Sequence, residues 1–193
     1  MNPRPLFIPV ILGTVRKGRT SENVAKFVFG EVQKRESLET ELIDISDLHF
    51  PADDAGEQIK NKIFSETCER ADGFVIVAPE YNHGYPGMLK HALDSNLKEY
   101  IHKAVAFVGV SAGPWGGTRV IEALLPTVRE LGLAATFTDL NFPYVQRVFS
   151  DGGELLDQAF ENRAKDFLDE LVWMSCGLRW ARQNLPSKYH DIG

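Results

Sequence analysis

The sequence predicts a doubly wound α/β fold: five parallel strands with helices on both faces. Three observations lead there. Short apolar runs of strand length alternate with longer segments of helical period, the pattern of successive βαβ units. One run, Gly73 to Pro79 (GFVIVAP), is apolar toward both faces, as a central strand covered on each side must be. The three most unusual stretches, GTVRKGRTS, PEYNHGYPG and SAGPWGG, each follow a strand, where open α/β sheets bind ligands. Such a sheet is either flavodoxin-like or half of a Rossmann fold. With 193 residues and no linker, repeat or low-complexity tract, one domain over 1–193 is expected.

Leu6 to Leu12 (LFIPVIL) is the first strand. The helix after it reads SENVAKFVFGEVQKR, with Val24, Phe27, Val28 and Val32 on one face and Thr20 or Ser21 placed to cap it. TELIDI is the second strand, and SDLHFPADDAGEQ a polar loop running into a helix near EQIKNKIFSETCERA. After the third strand, Gly84 and Pro86 punctuate the loop; Pro86 suits a first helical turn, and Met88, Leu89, Ala92, Leu93 and Leu97 mark a helix face. AVAFVGV is the fourth strand, followed by a helix from about Thr118 to Leu131. LAATF (133–137) gives a short fifth strand. The stretch TDLNFPYVQRVFSDGG reads as irregular before a closing amphipathic helix carrying Leu156, Ala159, Phe160, Ala164, Phe167, Leu168 and Leu171.

The formal charge is −6, from 21 Lys plus Arg against 27 Asp plus Glu, so the surface as a whole repels polyanions and nucleic acid is not expected as a partner. Arg16, Lys17 and Arg19 are a local exception that points to a small anionic ligand. Cys68 and Cys176 lie in no ligand or redox spacing, so reduced, buried or inert thiols are expected. His49, His91 and His102 have no metal-ligand spacing either, and no metal is expected. The apolar runs are shorter than the ~20 residues of a membrane helix. Pro9 interrupts the N-terminal run MNPRPLFIPVILG, which does not read as a signal peptide. A cytoplasmic protein with no membrane partner is expected.

GTVRKGRT fits the triphosphate loop G-x-x-x-x-G-K-[ST] except that Arg19 replaces the lysine. A triphosphate also needs an acid at a strand end to hold magnesium. Glu80 is the one acid at a central strand end, and Asp53 and Asp54 sit in a Pro/Gly-flanked loop that reads as solvated. A single phosphate is better served: a helix N-terminus, donors on Thr14, Thr20, Ser21 and Asn23, and Arg16 for a bidentate grip. Taken alone, a surface turn with solvated basic residues explains the loop equally well. PEYNHGYPG suits a flat, neutral heterocycle against backbone and Asn82 or Tyr81; alone, a tight crossover with tyrosines packed on the core is the better account. SAGPWGG allows close backbone approach through Gly113, Gly116 and Gly117, with Ser111 as a donor; a plain glycine turn is its alternative. Together the loops describe one phosphate at one end and a planar ring at the other, which fits flavin mononucleotide (FMN).

These residues resemble the NADPH-dependent FMN reductases, flavodoxin-like enzymes that include quinone, azo-dye and chromate reductases. GTVRKGRTSEN is similar to the family's G-S-x-R-x-x-S-x-N loop, PEYNHGYPGMLKHALD follows its P-E-Y-N … P-G-x-L-K-N-A-L-D pattern, and VGVSAGPWGG looks like its third loop. Thr14 replaces a serine, His91 an asparagine, and the first loop is about two residues longer, which leaves open which of Arg19, Thr20 and Ser21 touches phosphate. The resemblance implies a flavodoxin-like sheet of order 2-1-3-4-5. It implies FMN held by Thr14, Arg16, Ser21 and Asn23 at the phosphate, by Pro79, Glu80, Tyr81 and Asn82 along the isoalloxazine, and by Ser111, Gly113 and Gly117 on the third side. It also implies NADPH or NADH as electron donor, a small-molecule acceptor, ping-pong kinetics and a homodimer or homotetramer. Hydride chemistry belongs to the cofactor, so no catalytic acid or base is named.

A non-enzymatic flavodoxin-like electron carrier is the main rival, but flavodoxin phosphate loops resemble T-x-T-G-x-T without arginine, and Arg16 and PEYN speak against it. A kinase or ATPase using the opening motif is a third option. His83 could touch substrate, although a solvent-facing turn histidine is the simpler account. Trp115 could wall the ring or an interface, or pack in the core. Phe142, Tyr144 and Phe149 could shape an acceptor pocket, or pack against the last helix.

Overall fold

Proline has no N–H for a strand ladder, and Pro9 divides the first strand in two. The computed structural model describes residues 4–53 and 56–190, so Asp54 of the predicted loop and the first three residues of the N-terminal run lie outside the described residues. Strand β1 comprises Leu6–Phe7 and Val10–Leu12, and its neighbour β2 is divided to match, into Leu38–Glu39 and Leu42–Asp44. Across the break the Thr40 hydroxyl donates to the Ile8 carbonyl at 2.7 Å. The upper part of β1 also pairs with β3 (Gly73–Pro79), which runs beside β4 (Ala104–Val110) over all seven residues of each. Strand β5 is again two pieces, Ala134–Ala135 and Leu140–Phe142, both parallel to β4. The order is 2-1-3-4-5, as expected.

The expected fifth strand over 133–137 therefore covers only its first piece. At Thr136 the chain leaves the ladder, its hydroxyl donating to the Thr138 carbonyl at 3.2 Å, and Phe137 turns out to solvent. The second piece falls in the stretch read as irregular, where three residues between turns carry too little alternation to be seen.

Helices α1 (Ser21–Gln33) and α5 (Ala159–Asn184) cover one face; α2 (Lys62–Arg70), α3 (Gly87–Asp94) and α4 (Thr118–Glu130) cover the other. Strand residues alternate between two cores. Val75 and Val77 of β3 face α1 and α5, while Phe74, Ile76 and Ala78 face α2 to α4. Each of these valine, isoleucine and phenylalanine side chains contributes about 1.5–3 kcal/mol when fully buried. Four predicted face residues lie outside these cores, among them Ala159, exposed at the first residue of α5. Met88 is partly exposed on α3, Leu97 lies beyond its end at Asp94, and Leu156 precedes the start of α5; Leu97 and Leu156 are both exposed. Pro86 precedes α3 at its N-cap. Cys68 is buried, and burial pushes its thiol up to about 12, whereas Cys176 is exposed on α5.

The lower end of the sheet is closed by charge. Asp72, just before β3, is buried and accepts from the Phe7 N–H at 3.0 Å, from Arg4 at 2.7 Å and from Arg182 at 3.2 Å; Arg179 approaches to 3.5 Å. Nearby, the buried Lys103 ammonium donates to the Cys68 and Glu69 carbonyls at the end of α2, each at 2.7 Å. Among the described residues no helix is long and apolar enough to cross a membrane, and no group of His, Cys, Asp and Glu is gathered to hold a metal ion.

Candidate functional site

The upper end of the sheet gathers the three unusual loops. Gly13 lets the first loop leave β1 close against β3: its N–H donates to the Val77 carbonyl at 2.9 Å, and an added Cβ would stand 2.8 Å from Leu89 and 3.1 Å from that carbonyl. Thr14 is buried, and its hydroxyl shares a 3.1 Å hydrogen bond with the Tyr81 hydroxyl. Arg16 is exposed, its guanidinium 3.9 Å above the Tyr81 ring. Arg19 turns the other way. It donates to the Thr14 carbonyl at 2.8 Å and forms an ion pair with Asp44 at the end of β2.

Thr20 stands at the N-cap of α1 but has helical dihedrals (φ −70, ψ −20) and makes no side-chain cap, and Ser21 is already the first helical residue. Side-chain capping needs an extended N-cap, so the cap expected from the sequence does not form. The Glu22 and Asn23 N–H groups instead donate to the Arg19 and Thr20 carbonyls at 3.4 and 3.2 Å. Two side-chain atoms beside them, Ser21 Oγ and Arg19 Nε, are buried with no hydrogen-bond partner. Each such atom costs about 1–3 kcal/mol if left unmatched. Both are donors, and an anion would serve them.

In the second loop, Tyr81 and Gly84 exchange backbone hydrogen bonds of 2.9 and 3.0 Å around Asn82 and His83, whose φ values are +51 and +67. This is the dihedral pattern of a two-residue hairpin turn. It exposes Asn82 and His83, as expected for His83, and turns Tyr81 back onto the first loop. Tyr85 goes to the opposite side and meets Thr127 of α4 at 3.0 Å between hydroxyls.

The third loop packs backbone on backbone. Gly117 has φ +81, and a Cβ there would lie 2.4 Å from the Val110 nitrogen. Ser111 donates its hydroxyl to the Gly113 carbonyl at 2.9 Å, which commits it within its own loop. Trp115 is 60% exposed, so it does not pack in the core, and Arg119 lies 5.2 Å from its ring. Arg119 also donates to Glu80 Oε1 at 3.3 Å, while Glu80 Oε2 is buried without a partner. Phe142 and Phe149 are core residues, Phe142 stacking on Phe160 at 4.4 Å, and only Tyr144 is exposed beside the loop.

The loops enclose one cleft of about 270 Å³. Of the residues expected at the cofactor, Arg16, Ser21, Pro79, Glu80, Tyr81 and Ser111 line it. Thr14 is not in its wall but bonds to Tyr81, Asn23 faces Gly153, Asn82 points to solvent, and Gly113 and Gly117 shape the third loop from outside the wall. Gly18, Val110, Ala112 and Val145 also stand in the wall, with no role assigned from the sequence. Ala112 adjoins Ser111 and was within reach; Val145 carried no signal, because its place depends on its N–H donating to the Ser111 carbonyl at 3.1 Å.

Comparison with known proteins bears on this cleft. The profile of the NADPH-dependent FMN reductase family matches residues 7–144. An NAD(P)H-dependent FMN reductase of Schizosaccharomyces pombe is 37% identical over 121 residues, 57% of this chain and 59% of its own. The match thus spans less than two thirds of that relative. An NADPH azoreductase of a Bacillus species is 28% identical over 84% of this chain and 86% of its own. Among solved structures, the flavoenzyme NAD(P)H:(acceptor) oxidoreductase FerB of Paracoccus denitrificans superposes with a TM-score of 0.69 at 23% identity, covering 88% of this chain and 98% of its own.

Proposed function

This chain belongs to the NADPH-dependent FMN reductase family, and from that premise we propose that it is an FMN-dependent NAD(P)H oxidoreductase. It takes hydride equivalents from NADPH or NADH and passes them to a small acceptor such as a quinone, flavin, azo compound or chromate. The observation that carries this reading is the pair of buried donors without partners, Ser21 Oγ and Arg19 Nε, at the uncapped start of α1. One phosphate supplies acceptors to both, and the helix dipole favours its charge. Arg16, on the open side, closes over it with two parallel bonds.

Pro79, Glu80 and Tyr81 form one wall for a flat ring, the Ser111–Ala112 backbone the other, with Val110 and Val145 keeping water from its apolar part. Thr14 holds Tyr81 in place; Asn23, Asn82, Gly113 and Gly117 support the loops from outside the cleft. FMN supplies the hydride chemistry when bound, so the chain's task is to hold, orient and tune it. Donor and acceptor use the same open side in turn, which gives ping-pong kinetics. Exposed Trp115 and Tyr144 at the rim support assembly into a homodimer or homotetramer.

The test is one preparation. The purified protein should be yellow or take up FMN, and NADPH added without oxygen should bleach it rapidly, with parallel-line initial-velocity patterns against a quinone. Protein that neither carries nor binds FMN would sink the proposal, and bound flavin that NAD(P)H leaves oxidised would turn it into an electron carrier.

A further inference from the structure

Two tryptophans on α5 face water. Trp173 is 74% and Trp180 55% exposed, and their i, i+7 spacing sets them one above the other on a single helix face. The opposite side of the helix is buried against the sheet through Phe167, Leu168, Leu171 and Ser175. Ser175 meets the foot of β3, where a Cβ added to Gly73 would stand 2.3 Å from its hydroxyl. The tryptophan face therefore lies beside the foot of the sheet, away from the cleft and from the rim at Trp115 and Tyr144.

The residues between the tryptophans are small. Cys176 and Gly177 occupy the middle of the face, and both are exposed. Glycine is the poorest helix former after proline, and a Cβ on Gly177 would meet nothing within 4 Å in this chain, so no contact inside the molecule requires the residue. A second helix would use it. Helix axes pack roughly 8–10 Å apart depending on the side chains at the crossing, and a glycine there permits the near end of that range.

Charge selects the neighbour. Asp166, Asp169 and Glu170 lie in the two turns before Trp173, and Lys188 lies beyond the end of the helix. The acids repel an anionic lipid surface, and they would oppose one another in a parallel pair of this helix. In an antiparallel pair they approach the other copy's Lys188, while Trp173 of each copy meets Trp180 of the other. We propose that this face of α5 binds a second copy of the chain, the two helices crossing antiparallel about a two-fold axis beside Cys176 and Gly177. A tryptophan buries roughly 150–250 Å² and about two thirds of that is still free here, so four supply roughly a third of the roughly 1,200–2,000 Å² of a specific interface. The flanking turns supply the rest. This pairing is independent of flavin binding.

The experiment treats the full chain with a short bismaleimide, which joins only thiols held close together, and follows sedimentation velocity over a dilution series. Cys68 is buried, so Cys176 is the thiol that reacts. The wild type should yield a covalent pair of twice the chain mass, and Cys176→Ser should yield none. Trp173→Ala with Trp180→Ala keeps the thiol and removes only exposed side chains. Its pairing should weaken by roughly 30-fold or more, the effect of losing an interface hot spot, with the cross-link lost and circular dichroism unchanged. Gly177→Ala, a better helix former, should pair several-fold more weakly with no loss of resistance to urea in dilute protein. Association through the rim at Trp115 would survive these changes but would bring no two Cys176 thiols together. A wild type that gives no cross-linked pair, a double variant that cross-links as the wild type does, or Gly177→Ala that pairs as tightly overturns the proposal. Binding to phosphatidylcholine vesicles by a chain that stays single, lost in the double variant, overturns it in favour of a lipid surface.

Discussion

Arg16→Ala separates holding a ligand from holding the fold. Arg16 is exposed, and its guanidinium lies 3.9 Å from the Tyr81 ring. An exposed cation–π contact of this kind is worth about 0.5–1 kcal/mol. Its backbone N–H, 3.4 Å from Thr14 Oγ1, is untouched by the substitution. Stability to urea should therefore fall by no more than about 1 kcal/mol. A charge-assisted grip on phosphate is worth about 1.5–3 kcal/mol, and each 1.4 kcal/mol is tenfold, so FMN should bind roughly 10- to 100-fold more weakly. Riboflavin, which lacks the phosphate, should bind the variant and the wild type alike. Fluorescence titration with both flavins, alongside urea unfolding of the same preparations, reads all three quantities. If riboflavin suffers as much as FMN, or the fold is weakened more than FMN binding, Arg16 does not hold the phosphate.

Two further outcomes concern the scaffold. Gly117→Ala places a Cβ 2.4 Å from the Val110 nitrogen at φ +81, combining a left-handed penalty of about 1–2 kcal/mol with overpacking of about 1–3 kcal/mol. Urea unfolding should show a loss of roughly 2–5 kcal/mol, and a loss near zero would mean that the third loop is not packed as described. Burial, reinforced by Glu122, pushes the Asp139 carboxyl up to about 6 from an ordinary 3.8. The folded chain then binds the proton more tightly than the unfolded one, so this group's favourable contribution is full below pH 3.8 and lost as pH rises to about 6. Asp139→Asn should be more stable than the wild type at neutral pH and should lack that part of the pH slope; thermal unfolding across the range would show parallel curves if Asp139 is not perturbed.

Legibility followed burial. GFVIVAP and AVAFVGV coincide with β3 and β4 because every residue there is buried, and an unbroken apolar run records that directly. Where the chain kinks, the record fails: Phe137 looks like strand and is solvent-facing, while Leu140–Phe142 is strand within a segment read as irregular. In the site, residue chemistry was visible but its partners were not. The hydroxyl of Thr20 announces a cap, yet capping depends on a backbone dihedral that composition does not reveal. Arg19 was one of three candidates for the phosphate, and its commitment to Asp44 spans 25 residues of sequence. Glycines at 116 and 117 signal close approach, but not that Gly116 lies against Asn141 and Pro143 and Gly117 against Gly109 and Val110.

Asp72 gives this architecture a division of labour. One carboxylate ties the foot of β1, the foot of β3 and the C-terminal half of α5 together at the opposite end of β3 from the cleft. Seven extended residues, about 20 Å, separate it from Glu80. Substitutions of exposed side chains in the loops at the strand tips therefore leave the clasp at their feet intact and draw little on the folding free energy, unlike a change at Gly117, whose backbone is packed against β4. If the proposed function holds, laboratory selection for a new acceptor should begin at the exposed Asn82, His83, Trp115 and Tyr144 rather than anywhere below.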